Sequence, residues 1–370
     1  MRYLIFKLFG GINGVGFYNQ IYSLELAIYL SYISNRKLIL IIDKPLAIMG
    51  INDWSVGTIF DYINDISHLL KEPYEIHIRK NNILESYQYY HIQLPKKISS
   101  CIIVDSKYNN EEHSNIIEEF SNGRINVSDI INEIYENHKY VHFSDSNASR
   151  FFYNFYTTIE NYKYMSTIAY SLSCLPEKLQ NYYNNIKKYI NYDYIAIHLR
   201  FGDKHICEEK KIVSNNRIYE NIITFMNHNH YNYNLIIMTD FKENPIFVKL
   251  KSTYNIIFSD ELIKSTCREN INEIESFLLQ KKICESGIHF LGSQTSTVSC
   301  HIQYVRYIHN KSYNHYVNGR GKNFDNKILK YNKIQNKRFN WSSIQYPKGH
   351  HLSWQLFFED NVYTNDKLFL

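Results

Sequence analysis

The sequence predicts an α/β fold in which helices alternate with the strands of parallel sheets. At the start of the chain, a strand, a glycine-rich turn, a helix and a second strand follow one another. A similar series begins near residue 194 and continues to about residue 307. Because a chain of 370 residues is longer than one ordinary core requires, two domains are expected.

The first series has clear element boundaries in the sequence. The apolar strand Tyr3–Phe9 leads into the glycine-rich turn Gly10–Gly16, and Lys37–Ile42 forms the next strand, which ends at Asp43. Between them, Phe17–Ser34 is predicted as a helix with one apolar face turned inward. That face comprises Ile21, Leu24, Ile28 and Leu30. Weaker strand and helix signals continue to about residue 143.

The second series begins with a helix that follows Leu175-Pro176 and runs to about Tyr189. The apolar, β-prone segment Tyr194–Leu199 is the next strand. Further strands are predicted at 234–238, 255–258 and 288–291, and further helices at 217–227, 272–286 and 298–307.

These series predict the domain organisation. The expected domains are residues 1–175 and 176–310, followed by a carboxyl-terminal extension at 311–370. The extension contains Trp341 and Trp354 and is expected to pack back on the first domain, because tryptophan is usually buried.

Composition narrows the class of protein. The net charge of +5 is spread along the chain without a block of like charges, which disfavours a nucleic-acid partner. No two of the six cysteines form a Cys-x-x-Cys pair, so a structural zinc site is not expected. The amino terminus lacks the pattern of a signal peptide, and no apolar run reaches the length of a membrane span. The expectation is a soluble, cytoplasmic protein with reduced thiols.

The most informative segment follows the strand Tyr194–Leu199. His198 and Arg200 lie at the end of that strand, which Gly202 interrupts. Ligands of open α/β sheets bind at the carboxyl ends of strands, so a permanent cation here suits a site that holds negative charge. The loop that follows is crowded with charge and contains Asp203, Lys204, His205, Glu208 and Glu209.

A second candidate segment joins the strand at 288–291 to a helix. The run Gly292–Ser299 is rich in hydroxyl groups, and the helix that follows offers unpaired amides at its positive end. Ser293, Thr295, Ser296 and Thr297 therefore either hold a phosphate or simply cap the helix, and the sequence leaves both alternatives open. Two anion-binding segments in one domain suggest a diphosphate.

Three other polar residues are weaker candidates. Asn19 and Gln20, in the first turn of their helix, bind sugar or acceptor hydroxyls in one interpretation and cap the helix in the other. Asp240 follows a strand, where it contacts a ribose, orients a cation or forms a turn. The sequence contains no Asp-x-Asp pair, which argues against a metal-bridged diphosphate and leaves Arg200 to neutralise the leaving group.

Taken in order, these segments resemble the motifs of the GDP-fucose-dependent fucosyltransferases. That group has two Rossmann-type domains that face each other across a cleft (GT-B), and it includes the protein O-fucosyltransferases and the core α1,6-fucosyltransferases. The resemblance spans roughly residues 1–45 and 175–310. It rests on Gly14–Gln20, on His198–Asp203 and on Phe290–Ser299 with its continuation to Arg306.

The resemblance implies a role for each matching residue. Arg200 would bind the β-phosphate and stabilise the departing GDP, and His198 would support the phosphate or the ribose. Thr295, Ser296 and Thr297 would hold the diphosphate, and Asn19 would lie across the cleft near the transferred sugar. The reaction would be an inverting, metal-independent fucosyl transfer to a hydroxyl of a glycan or protein.

The resemblance also suggests the general base and shows two departures. In the core α1,6 enzymes a lysine follows the motif aspartate and a glutamate follows four residues later, which here matches Lys204 and Glu208, with His205 as the competitor. Phe201 stands where many members carry a second arginine. Gln280 stands where members usually place the aspartate that pairs with guanine, and an amide cannot offer a carboxylate to two donors.

Two other functions remain as alternatives. A non-catalytic sugar- or nucleotide-binding protein with the same fold would be compatible with the Phe201 and Gln280 departures. A nicotinamide-dependent oxidoreductase would use the glycine-rich turn and Asp43, but it leaves both carboxyl-terminal motifs unexplained.

Overall fold

In the computed structural model, the chain forms two compact units, Met1–Cys174 and Leu175–Leu370. The structure describes part of each unit. The described residues are 1–8, 16–42, 46–48, 51–52, 57–80, 83–87, 101–104, 125–126, 140–143, 153–154, 159–201, 215–228, 232–267, 270–293, 296–309 and 314–316. Within them, no helix combines the length and apolar character that a membrane span needs.

The first unit is built on a six-stranded, mainly parallel sheet. Its elements are β1 (Tyr3–Lys7), α1 (Phe17–Ser34), β2 (Lys37–Ile42), β3 (Ala47–Ile48), β4 (Ile51–Asn52), β5 (Glu75–Lys80), β6 (Ile83–Tyr87), β7 (Cys101–Val104), β8 (Ile125–Asn126), β9 (Tyr140–Phe143), β10 (Tyr153–Asn154) and α2 (Ile159–Ser173). The sheet order is β6-β5-β2-β1-β9-β7, and only the β5–β6 pair is antiparallel.

Helix α1 has the bounds that the sequence predicts, but its burial differs from the prediction. Nearly every residue from Phe17 to Ser31 is buried, including the carboxylate residue Glu25. The helix packs against β1 and β2 and also against α2, where the ring of Tyr32 stacks on that of Tyr164 at 3.9 Å. The prediction that α1 has a single inward face is therefore wrong, because neighbouring elements cover more than one side of the helix.

The second unit is built on a five-stranded parallel sheet. Its elements are α3 (Glu177–Tyr189), β11 (Tyr194–Leu199), α4 (Asn215–His228), β12 (Asn234–Thr239), α5 (Ile246–Lys251), β13 (Ile256–Phe258), α6 (Ser259–Thr266), α7 (Glu273–Ser286), β14 (His289–Gly292), α8 (Thr297–Ile308) and β15 (Asn314–Tyr316). The sheet order is β13-β12-β11-β14-β15.

The strand order of the second sheet locates its ligand-binding edge. The chain leaves β11 for β12 and β13 on one side and then returns to β14 on the other side. Ligands of open α/β sheets bind outside the carboxyl ends of the strands at such a point of reversal. We call this side, where Leu199, Thr239, Phe258 and Gly292 end their strands, the carboxyl edge, and we call the opposite side, where Tyr194 and His289 begin theirs, the amino edge.

The core of the second unit follows from strand alternation. Ile195, Ile197 and Leu199 project to one face of β11, where they pack with apolar residues of α4 and α5. The predicted strands and helices of this unit are confirmed within one or two residues at each end. The sequence analysis did not identify α2, α5, α6 or β15, of which α5, α6 and β15 are short.

Together the two units establish an α/β fold with two largely parallel sheets.

Candidate functional site

The carboxyl edge of the second sheet brings together the two segments that the sequence analysis singled out. His198 lies near the end of β11 and is buried, and Arg200 follows the strand and is half-buried. Ser293 follows the neighbouring strand β14 and is also buried. Since β11 and β14 pair in parallel, His198, Arg200 and Ser293 meet at the point of reversal.

Hydrogen bonds through Ser293 lock the two strand ends together. Its hydroxyl donates to the carbonyl oxygen of His198 at 3.1 Å and accepts from the backbone N–H of Arg200 at 3.0 Å. Its own backbone N–H donates to Oγ of Ser299 at 2.9 Å. The backbone that carries Arg200 is therefore fixed relative to β14 and to the first turns of α8.

Ser299 extends this arrangement to the imidazole of His198. Its Oγ lies 2.7 Å from Nδ1 of His198, and it also accepts the N–H of Ser293. In one of the two tautomers the hydroxyl donates its proton to Nδ1, and the ring proton then resides on Nε2. In that state, Nε2 is a hydrogen-bond donor, which suits a phosphate or ribose oxygen.

Gly292 allows α8 to approach the strand end this closely. A Cβ atom at position 292 would lie 2.9 Å from Cβ of Ser299 and 2.9 Å from Cε1 of Phe290. Both distances are shorter than side chains tolerate, and Ser299 is held by the helix backbone. A glycine is therefore required here by close packing.

The structure describes two of the hydroxyl groups near the start of α8, those of Ser293 and Ser296. The hydroxyl of Ser293 binds the backbone of β11, and Oγ of Ser296 is buried without a hydrogen-bond partner among the described residues. Neither of these two hydroxyls caps α8, and the roles of Thr295 and Thr297 stay predictions. The first-turn amides of a helix lack intrahelical acceptors, so this end remains suited to an anion. Thr297, the first helical residue, is buried at the same place.

Asp240 and Phe201 shape the neighbouring part of the carboxyl edge. Oδ1 of Asp240 accepts the backbone N–H of Phe201 at 2.8 Å and so ties the end of β12 to the segment after β11. The ring of Phe201 is buried in the core, where it meets Phe247 edge-on at a centroid distance of 6.1 Å. Position 201 therefore contributes to the packing of the core of the second unit.

Gln280 belongs to α7, faces the end of β13 and has hydrogen-bond partners within its own unit. Its Oε1 accepts the hydroxyl of Ser259 at 2.8 Å, and its Nε2 donates to Oγ of Ser276 at 3.3 Å. Contact between Gln280 and a nucleotide base stays a prediction. Nearby, Lys242 contacts Oδ2 of Asp260 at 2.5 Å and Oε1 of Glu261 at 3.1 Å, so two carboxylates already neutralise this cation.

In the first unit, the start of α1 presents two amide side chains. Gly16 is the N-cap and supplies no side-chain hydrogen bond. Oδ1 of Asn19 and Oε1 of Gln20 are buried and accept no hydrogen bond from the described residues, so neither oxygen caps the helix. A Cβ at Gly16 would meet no described atom within 4 Å, so close packing does not explain this glycine. The proposal that the two amides bind hydroxyls stays a prediction.

Several predicted site residues lie outside the described residues. They are Asp203, Lys204, His205, Glu208 and Thr295, so the structure describes neither the candidate base nor one of the phosphate hydroxyls. Asp43 and the turn from Gly10 to Val15 also lie outside. The described parts of the chain contain no cluster of three or more His, Cys, Asp or Glu side chains arranged for a metal ion.

The structure assigns roles to two residues that sequence reasoning did not include among the site residues. Ser299 belonged to the recognised serine- and threonine-rich run, and its spacing of one helical turn from Ser296 was an available signal. Arg306 ended the same motif, but its fully buried guanidinium lies at the amino edge. There it donates to the carbonyl oxygens of Glu285 (3.0 Å), Gly287 (2.5 Å) and Ile288 (3.1 Å).

Burial around Arg306 also affects ionisation. Burial lowers the pKa of Arg306 to about 10, and its guanidinium remains charged at neutral pH. Burial and the nearby Arg306 lower the pKa of His289, the first residue of β14, to about 4. His289 is therefore neutral at physiological pH, and its ring packs edge-on against Phe225.

Comparisons with known proteins give matches at the level of structure only. No protein-family model matches the chain, and no curated protein matches it by sequence.

Among solved structures, POFUT1 in complex with GDP is similar at a TM-score of 0.47 and 12% identity, over 85% of this chain and 98% of that one. NodZ alpha-1,6-fucosyltransferase soaked with GDP-fucose gives 0.45 and 10%, over 82% and 92%. A variant of Arabidopsis thaliana FUT1 in complex with GDP gives 0.45 and 10%, over 82% and 68%.

All three are GDP-fucose fucosyltransferases, the group that the sequence motifs resemble. With TM-scores below 0.5, these likenesses carry no conclusion about activity.

Proposed function

We propose that this protein is an inverting, metal-independent glycosyltransferase that transfers fucose from GDP-fucose to a hydroxyl of a glycan or protein. Its two units would be Rossmann-type domains of a GT-B enzyme, with residues 1–175 on the acceptor side and 176–310 on the donor side. Of the extension 311–370, β15 belongs to the second sheet, and the part that follows β15 would pack back on the first domain. The observation that carries the proposal is the hydrogen-bonded assembly of His198, Ser293 and Ser299 beside Arg200.

This assembly suits a leaving diphosphate. Arg200 is a permanent cation whose backbone is fixed at the ligand-binding edge, and the imidazole of His198 lies on the same strand end, hydrogen-bonded to Ser299. The start of α8, with Ser296, Thr297 and the predicted contribution of Thr295, adds amides and hydroxyls. Donors fixed in advance stabilise charge that develops on the departing GDP without reorganising at the moment of reaction.

The remaining roles complete the proposal from the sequence. Glu208, positioned by Lys204 and close in sequence to Asp203, is the proposed general base, with His205 as its competitor. Asn19 and Gln20 would bind hydroxyls of the transferred sugar or the acceptor. Asp240 and Gln280 would contact the ribose and the base. Metal independence is supported by the absence of an Asp-x-Asp pair from the sequence. We further propose a cytoplasmic location.

The central test compares nucleotides on the wild type and on Arg200→Ala. Calorimetry with GDP, UDP, GDP-fucose, GDP-mannose, UDP-N-acetylglucosamine and NADH is expected to show selective binding of GDP and GDP-fucose. In Arg200→Ala, release of GDP from GDP-fucose should fall about a hundredfold or more, because a contact that strengthens in the transition state is lost. Arg217→Ala is the matched control, since Arg217 lies on α4 and forms a partly exposed pair with Glu220 at 3.6 Å.

The outcomes separate the proposed function from its alternatives. Near-normal turnover in Arg200→Ala would exclude the role given to this residue. GDP binding without any turnover would favour a non-catalytic binding protein, which the burial of Phe201 and the internal partners of Gln280 support as the second candidate. Selective binding of NADH would instead indicate an oxidoreductase.

A further inference from the structure

The amino edge of the second sheet contains a cavity that the proposed reaction does not use. Its volume is about 400 Å³, and it opens to solvent between the end of α3, the start of β11 and the turn before β14. This volume falls within the range of about 300–1,000 Å³ that is typical of small-molecule sites. The side chains that decide its chemistry are Tyr183, Lys187, Asn191, Tyr192, Asp193 and Tyr194.

Two of the three tyrosines are held rigidly in the wall of the cavity. The hydroxyl of Tyr194 donates to the carbonyl oxygen of Ile283 at 2.8 Å, and the hydroxyl of Tyr183 hydrogen-bonds Ser286. Ser286 in turn donates to the carbonyl oxygen of Lys282 at 3.0 Å, so α7 anchors the Tyr183 ring. Walls fixed before binding reduce the entropy that a ligand must overcome.

The third tyrosine is more accessible and has an exposed neighbour. Tyr192 is half-buried, and its phenol is close enough to that of Tyr189 to interact electrostatically. The Tyr189 side chain is 63% exposed, which is unusual for so large an aromatic residue. Tyr192 therefore adds accessible aromatic surface to a cavity whose lining also contains Tyr183 and Tyr194.

The charges of the lining indicate the class of ligand. Lys187 and Asp193 have opposite charges, and the amide of Asn191 is neutral, so these groups carry no net charge. A phosphorylated ligand would need unbalanced cations, and a lipid would need an apolar wall. A sugar ring fits better, because its C–H face packs on an aromatic face while its hydroxyls reach amide, ammonium and carboxylate groups at the rim.

We propose that this cavity, which we call the tyrosine cavity, binds a neutral oligosaccharide through Tyr192, Asn191, Lys187 and Asp193. The strand β11 separates it from the carboxyl edge by its six residues, or about 20 Å. A bound oligosaccharide would therefore occupy a site distinct from that of the donor. It would hold a distal part of a long glycan acceptor, and this role, unlike the binding itself, rests on the proposed function.

The test measures binding of neutral oligosaccharides to the full chain in the absence of nucleotide. Cellotetraose, maltotetraose, chitotetraose and N-acetyllactosamine serve as probes in saturation-transfer NMR and titration calorimetry. At least one probe is expected to bind the wild type, and Tyr192→Ala is expected to weaken that binding by about tenfold or more. Asn191→Ala, at an exposed position that does not endanger folding, should also weaken it. Tyr170→Ala is the matched control, because Tyr170 is 42% exposed on the first unit.

The outcomes are independent of the donor site. Oligosaccharide binding in the tyrosine cavity is refuted if no probe binds the wild type at millimolar concentration. It is also refuted if Tyr192→Ala and Asn191→Ala both bind the probes as well as Tyr170→Ala does. GDP calorimetry on the same samples reports on the proposed function separately. Oligosaccharide binding without GDP binding would support the proposed role of the cavity and count against the transferase. GDP binding without oligosaccharide binding would support the transferase and count against the proposed role of the cavity.

Discussion

Arg200 and Arg306 belong to opposite edges of one sheet, and the structure uses the same side-chain type in different ways. At the carboxyl edge, serine hydroxyls fix the backbone around Arg200, whose side chain is half-buried. At the amino edge, the guanidinium of Arg306 itself donates hydrogen bonds to three backbone carbonyls at the end of α7 and in the turn before β14. A motif that contains an arginine therefore does not reveal whether its charge serves a ligand or the fold.

The largest expected effect is a difference in stability between the alanine variants of the two arginines. Arg306→Ala leaves three buried carbonyl oxygens without their donor, so we expect the free energy of unfolding to fall by about 3 kcal/mol or more. Arg200→Ala, at a half-buried position, should change it by about 1 kcal/mol or less. Urea denaturation followed by circular dichroism measures both variants. Equal losses of stability would contradict the distinction between the two edges.

The second prediction concerns the close approach of α8 to β14. In Gly292→Ala, the added Cβ would lie 2.9 Å from Ser299 and Phe290, so we expect a loss of about 1–3 kcal/mol in stability together with weaker GDP binding. Gly16→Ala is the control, because its φ of −59° suits alanine and no described atom lies within 4 Å of the new Cβ. Thermal denaturation compares the two. A fully stable Gly292→Ala would show that this contact can relax.

The smallest expected effect tests the link between Ser299 and His198. Ser299→Ala removes the partner of Nδ1 and leaves the N–H of Ser293 unsatisfied, so we expect a loss of about 1–2 kcal/mol and GDP binding weaker by about tenfold. As a control, Ser252→Ala removes an exposed hydroxyl that donates to the carbonyl oxygen of Lys249 at 2.7 Å. It should change stability by no more than about 0.5 kcal/mol. Unchanged GDP affinity in Ser299→Ala would remove His198 from the proposed donor site.

The two edges also show which features of the structure local sequence patterns were sufficient to predict. Apolar, β-prone runs predicted β11 and β12, and helical periodicity predicted α7, because these patterns depend on neighbouring residues in the chain. The glycine at 292 and the hydroxyls after it predicted a strand-to-helix turn for the same reason. These local signals did not show that Ser293 binds the backbone of β11, which is about a hundred residues away along the chain.

By itself, the sequence determined the alternation of strands and helices, the two parallel sheets and the position of Arg200 after a buried strand. These features follow from local periodicity and from where strands end. Only the tertiary structure decided that Ser299 reaches His198, that Phe201 packs into the core, and that Arg306 secures the turn before β14. Those contacts join residues that are distant along the chain. They depend on the order of strands in the sheet and on the angle at which each helix crosses it, neither of which a local pattern encodes.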